Sequence, residues 1–268
     1  MNDVLLAYER RPKHTVRNTI AAVIILALFI WSLDVINYPG IFEEGINIAR
    51  NLFRSFFNPT WDLIFSYHAG SIPRLMFETI GIAFLGTLLG AILSVPFAFL
   101  TAKNIVGRVP SVIGNTIITT IRSFPFFITA LMFVRVTGGG AMTGVLTIGV
   151  LSIGMISKLY IEIIEDIDPG IIQALDALGA TTFQKIRYGI IPQLTASMLS
   201  VIIYRFEINV KNATVLGIVG AGGIGVSLIL AMNAGRWRDA SAALWGIIIV
   251  VLIVDFFSTR IRAKLVNG

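Results

Sequence analysis

The chain has 268 residues, 56% hydrophobic and 13% charged, with a formal net charge of +6 at pH 7. A mean hydropathy of +0.84 is too apolar for a water-soluble domain of this length and predicts an all-α membrane protein, a polytopic helical bundle. The lack of cysteine excludes disulfides, thiolate metal sites and thiol catalysis, and the two histidines, His14 and His68, are too few for a metal cluster.

Apolar runs of spanning length fall at about 18–37, 73–100, 112–135, 141–162, 194–216 and 240–259, which predicts six spans in one domain, 1–268. Arg10, Arg11, Lys13 and Arg17 precede the first run, and Arg260, Arg262 and Lys264 follow the last. Basic flanks stay on the cytoplasmic side, so both termini are expected there, with Lys103 and Arg108 in one cytoplasmic loop and Lys185 and Arg187 in the next. The positive charge therefore reports topology and not nucleic acid. The first run is long and has no small-residue cleavage site, so it reads as a retained anchor and not a signal peptide. After it, IFEEGINIARNLFRSFFNPTW mixes large apolar residues with Glu43, Glu44, Arg50 and Arg54, as an external interfacial helix would.

Gly86 and Gly90 in the second run are spaced for close helix approach. Pro96 and Pro125 lie inside runs and free backbone carbonyls, which is tolerated beside other protein or a water-filled cavity. Arg122, Arg205, Glu207 and Lys211 would each cost about 2.5 to 3.5 kcal/mol at the centre of a spanning helix, so they should face a cavity or a partner. Helical spacing puts Arg205 and Asn209 on one face and pairs Glu207 with Lys211 on a neighbouring one. Arg122, Ser123, Arg205, Glu207 and Asn209 are the candidate translocation pathway. The arginines point to an anion, because guanidinium donates bidentately to oxyanions. Glu207 and Lys211 fit a structural ion network equally well.

Between the fourth and fifth runs lies a polar segment, 163–193, containing DIDPGIIQALDALGATTFQKIRYGIIP. Asp168 and Pro169 supply an N-cap and a first-turn proline, Gly179 a left-handed stop, and Thr181 with Gln184 a capping box for a second helix that should end before Pro192. The exposed face of this helix, hinge and helix is small and apolar (Ala174, Ala177, Leu178, Ala180), which suits a groove on another protein. Farther on, Gly220, Gly222 and Gly225 in GAGGIG fit a dinucleotide fingerprint by letter but have no strand before them, so close packing at the outer mouth of the fifth span is the better account. No G-x-x-x-x-G-K-[ST] run occurs, so this chain cannot cradle ATP in that way.

Gln173, Ala174 and Leu175, then Gly179 and, thirteen residues on, Pro192 resemble the EAA loop of binding-protein-dependent ABC importer permeases. The chain departs from that pattern at Gln173 (Glu in the family), Leu175 (Ala) and Gly189 (a branched apolar residue). RSFP, KLYIEIIEDID, YRFEINVKNATVLGIVGAGGIG, and FNPTW followed by Phe77, Glu78 and Thr79 are similar to the permeases of phosphonate importers, a similarity over residues 58–230. The resemblance implies a permease carrying phosphonates or related phosphorus oxyanions by alternating access, and not an enzyme. It implies docking of Gln173, Ala174, Ala177, Leu178, Gly179, Ala180 and Pro192 on an ATPase, with ATP and Mg held by that partner and no cofactor in this chain. Two ATPase subunits need two docking loops, so a homodimer is expected, together with an extracytoplasmic solute-binding protein, in a bacterial inner membrane. Phosphate, phosphite, methionine or another small solute is the alternative cargo. A membrane enzyme or a channel is the remote alternative; the former lacks any metal or Ser/His/Asp constellation, and the docking loop argues against the latter.

Overall fold

The computed structural model describes residues 15–35, 43–68 and 70–267, so the basic positions Arg10, Arg11 and Lys13, and also His14, lie outside the described residues. The chain divides into two compact units, Met1–Arg50 and Asn51–Gly268. The first contains α1 (Thr15–Val35), apolar along its length. It also contains most of α2 (Glu43–Phe56), in which Ile46, Ala49, Leu52, Phe53 and Phe56 recur at helical spacing opposite Asn47, Arg50, Asn51 and Arg54. Such a two-faced helix lies along an interface more readily than across a bilayer.

The second unit is all helical among the described residues: α3 (Trp61–Phe65), α4 (Ile72–Phe99), α5 (Lys103–Val106), α6 (Arg108–Ser123), α7 (Phe126–Thr137), α8 (Ala141–Glu165), α9 (Pro169–Ala177), α10 (Thr182–Gln184), α11 (Ile191–Leu216), α12 (Ile224–Asn233) and α13 (Trp237–Asn267). Among the described residues five helices are long and apolar enough to cross a membrane, six if α6 and α7 together make one span. Those two meet at 80°. Where the sequence reads as one run, 112–135, the structure has a break, because Pro125 has no N–H to offer and forces Phe124 into extended backbone (φ −69°, ψ 124°).

At the centre α4 packs on α8. A Cβ added at Gly86 would lie 2.7 Å from Ile148 Cβ, and one at Gly90 2.5 Å from Ser152 Cβ, so the two glycines let the helices touch along their backbones. Around this pair the core of the described residues forms three clusters. One, at the end bearing α9 and α10, holds Ile118, Ile156, Tyr160 and Ile164. The middle one joins Ile82, Ile148, Val210 and Leu216, and the far one Ile72, Met76 and Ile224.

At the far end the glycine-rich turn reverses the chain between α11 and α12. Gly220, Gly222 and Gly223 have φ of +86°, +83° and +75°, conformations that a Cβ disfavours. A Cβ at Gly225 would lie only 2.1 Å from Thr214 O. Glu78 Oε1 accepts from Gly223 N (3.0 Å) and Thr79 Oγ1 from Ile224 N (2.9 Å), satisfying first-turn N–H groups of α12. The glycines thus serve packing and helix capping. Nearby, the FNPTW segment is strapped across the start of α13. Arg238 Nε donates to Asn58 O at 3.1 Å, Thr60 Oγ1 to Asp239 Oδ1 at 2.7 Å and Trp245 Nε1 to Phe56 O at 2.8 Å.

Candidate functional site

Two places concentrate chemistry: a cavity at the α6–α7 break, and the α9–α10 elbow. Ending α6 at Ser123 leaves last-turn carbonyls without helical partners; Ser123 Oγ satisfies one, donating to Thr120 O at 2.7 Å. Arg122 occupies that last turn, where the negative end of the helix dipole favours a cation. Its stem passes over Gly154 of α8, where an added Cβ would lie 2.8 Å from Arg122 Cγ. Broken backbone within a span is tolerated where it lines a cavity, and one of about 420 Å³ opens here, walled by Arg122, Phe124, Phe126 and Phe127 at the break, by Ser152 and Met155 of α8, and by Arg205, Asn209 and Asn212 of α11.

The periodicity of α11 decides which charges reach this cavity. Arg205, Asn209 and Asn212 follow i, i+4, i+7 spacing and share its face. Among the described residues neither Arg122 nor Arg205 has a carboxylate partner, and Arg205 Nε is buried with no acceptor. Arg262 Nε is likewise buried without an acceptor, but it belongs to a guanidinium already paired with Glu207. Two cations on one wall also repel, which an anion between them would relieve.

Glu207 and Ser123 lie elsewhere. Glu207, only 7% exposed, accepts from Lys211 Nζ and from Arg262 Nη2, both at 3.1 Å, and Arg262 also lies 5.4 Å from the Tyr204 ring centroid. This network ties α11 to α13, away from the cavity residues. The Glu207–Lys211 pair has the spacing read from sequence, but Arg262 enters from a tail that sequence marks only as a topology signal. Ser123 faces a separate groove shared with Asn115, Thr116 and Thr120. Ser152 and Asn212 are additions to the sequence-derived set: Asn212 follows from the α11 spacing, whereas nothing local singles out Ser152.

At the elbow, Asp168 caps α9 by accepting from Gly170 N at 2.9 Å. Gly179 has φ +71°, and the Thr181–Gln184 capping box is complete. Gln173, Ala174, Ala177 and Leu178 are exposed, Leu178 82% and neighbouring Phe183 68%; Ala180 is half-buried. Asp176 and Lys185 form an ion pair between the two arms. Two departures from the EAA pattern compensate each other. Leu175 fills the space above Gly189, where an added Cβ would lie 2.5 Å from Leu175 Cδ1.

One expectation is overturned: the second arm does not end before Pro192. A π-helical turn, Lys185–Ile190, carries it into α11, so one continuous helix runs over Thr182–Val219. Pro192 therefore lies inside the continuous helix, where it removes one backbone donor, and the wider π turn immediately before it accommodates the proline ring.

Residues 94–267 match the family described as binding-protein-dependent transport system inner membrane component. The chain is 36% identical over 191 residues to the phosphite transport system permease protein PtxC of Stutzerimonas stutzeri, covering 70% of this chain and 69% of that protein. It is 32% identical over 239 residues to the phosphate-import permease protein PhnE of Mycolicibacterium smegmatis, covering 88% of this chain but 43% of the longer relative. Among solved structures, the MetNI methionine ABC transporter in inward facing conformations superimposes with a TM-score of 0.63 at 21% identity, over 70% of this chain and 93% of that one, a likeness of fold. With the family match spanning well over half its length and a helical fold shared with importer permeases, the chain belongs to the binding-protein-dependent transport system inner membrane components, the multi-pass permease subunits of ABC importers.

Proposed function

We propose that this permease forms the translocation pathway for phosphonates or related phosphorus oxyanions, with Arg122 and Arg205 as the cationic donors on the route. The observation that carries the reading is the pairing of two carboxylate-free arginines, one with a buried orphan Nε, on one cavity at a helix break. A tetrahedral oxyanion supplies the charge and the several acceptors that such a wall lacks. Relatives named as phosphite and phosphate permeases support the same class of cargo.

In this reading two copies of the chain pair, and each presents its elbow (Gln173, Ala174, Ala177, Leu178, Gly179, Ala180, with Pro192 behind) to one cytoplasmic ATPase subunit holding ATP and Mg. An extracytoplasmic binding protein delivers the solute from the far end, and both termini are cytoplasmic. ATP-driven closure of the ATPase pair draws the elbows together and opens the cavity outward; hydrolysis resets it inward. The continuous Thr182–Val219 helix links elbow to cavity, since it carries Thr182 of the second arm at one end and Arg205 and Asn209 farther along.

Uptake into proteoliposomes containing the permease, its ATPase and its binding protein tests this. Methylphosphonate, phosphite, phosphate, sulfate and methionine are offered in turn. ATP-dependent uptake of a phosphorus oxyanion is expected. Uptake of methionine with none of the phosphorus oxyanions would overturn the reading.

A further inference from the structure

The cavity wall contains an acceptor as well as donors. Asn209 is buried, 2% exposed, and its amide orientation is settled by its neighbours. Thr87 Oγ1 lies 2.6 Å from Ala83 O, a carbonyl that can only accept, so the Thr87 proton is committed there. The Thr87 oxygen can therefore only accept from Asn209, whose Nδ2 lies 2.9 Å away. The other Nδ2 proton goes to Ser152 Oγ, also at 2.9 Å. Both amide protons are used on α4 and α8, and among the described residues the carbonyl oxygen of Asn209 has no partner. It is what Asn209 offers the cavity, beside two guanidinium groups.

The geometry points to Asn209 as a specificity-determining residue whose fixed carbonyl oxygen accepts a hydrogen bond from a protonated oxyanion, selecting a P–OH-bearing monoanion over fully ionised sulfate. The inference rests on the arginine-lined cavity proposed above as the anion's route. Two arginines alone would prefer the more highly charged form of any oxyanion. A rigid acceptor reverses that preference, because a buried lone pair facing an anionic oxygen is repelled and unsatisfied, whereas facing an O–H it is paired. Phosphonates, phosphite and phosphate undergo their second ionisation close to neutral pH, so the P–OH-bearing monoanion is populated there; sulfate, a much stronger acid, holds no proton. Among the described residues the cavity lining has no carboxylate, histidine, lysine or tyrosine, so the ligand is the group that titrates there.

The test is equilibrium binding of methylphosphonate and of sulfate to the permease assembled with its ATPase, without the binding protein, across roughly pH 6 to 9. The native protein is expected to bind methylphosphonate at least about tenfold more weakly at the alkaline end, as the ligand loses its second proton, and to bind sulfate poorly throughout. In Asn209→Leu, similar in size and without an acceptor, the trend inverts: methylphosphonate binds more tightly as pH rises, and sulfate approaches it. Should Asn209→Leu fail to assemble, Thr87→Val removes the acceptor that orients the amide and is expected to erase the discrimination. Native binding that is flat or tightens with pH, or that favours both anions equally while Arg205→Gln weakens both, overturns the role of Asn209 and leaves the arginine cavity standing. Binding of neither anion by the native protein overturns both.

Discussion

Four mid-span charges that look alike in sequence separate in the structure by their partners. Glu207 is held between Lys211 and Arg262, whereas Arg122 and Arg205 face a cavity that has no carboxylate among the described residues. Spacing along α11 made Arg205 with Asn209 and Glu207 with Lys211 legible, because both pairs lie within one helix. Arg262 and Ser152 were not, since each reaches its partner across a tertiary contact that no local period encodes. The sorting has a measurable consequence. Glu207→Ala strands two cations at the α11–α13 contact, so it should lower stability by about 2 kcal/mol, less than for a fully buried pair because Lys211 is half exposed. Thermal melting of the purified protein checks this; a melting temperature unchanged by Glu207→Ala would mean that the network is idle.

At the scale of elements, hydropathy marked the long helices well, because length and apolar content alone specify a span. It did not mark what backbone geometry decides. The apolar run through Phe124 and Pro125 hides an 80° break, and Pro192, read as a terminator, sits in a continuous helix behind a π turn. The elbow was legible down to its caps, since Asp168, Gly179, Thr181 and Gln184 act through short-range hydrogen bonds and φ preferences. Its hinge supplies a second prediction. Gly179 has φ +71° with open space around it, so Gly179→Leu is strained by backbone conformation, about 1 to 2 kcal/mol, and adds bulk to the exposed face. The variant should insert and assemble while solute no longer stimulates ATP hydrolysis and transport is lost. Normal solute-stimulated hydrolysis and uptake by Gly179→Leu would remove the elbow from the coupling path.

For the molecule as a whole, composition identified a multi-pass membrane protein, and the EAA-like loop pointed to the family that residues 94–267 match. The sidedness proposed from the basic flanks predicts labelling directly. The native chain lacks cysteine, so single cysteines replacing Arg17 and Lys264 should react only from the cytoplasm, and one replacing Thr60 only from outside. A Thr60 site that reacts only after permeabilisation would invert the topology.

The central claim is that Arg122 and Arg205 serve the anion's route and not the fold. Uptake of methylphosphonate and thermal melting, measured on the same preparations of native, Arg122→Gln and Arg205→Gln permease reconstituted with its ATPase and binding protein, test it most directly. The account predicts melting within about 0.5 kcal/mol of native stability and uptake reduced at least tenfold, about 1.4 kcal/mol of barrier. Uptake unchanged in both variants, or a loss of stability accompanying each change, would contradict it.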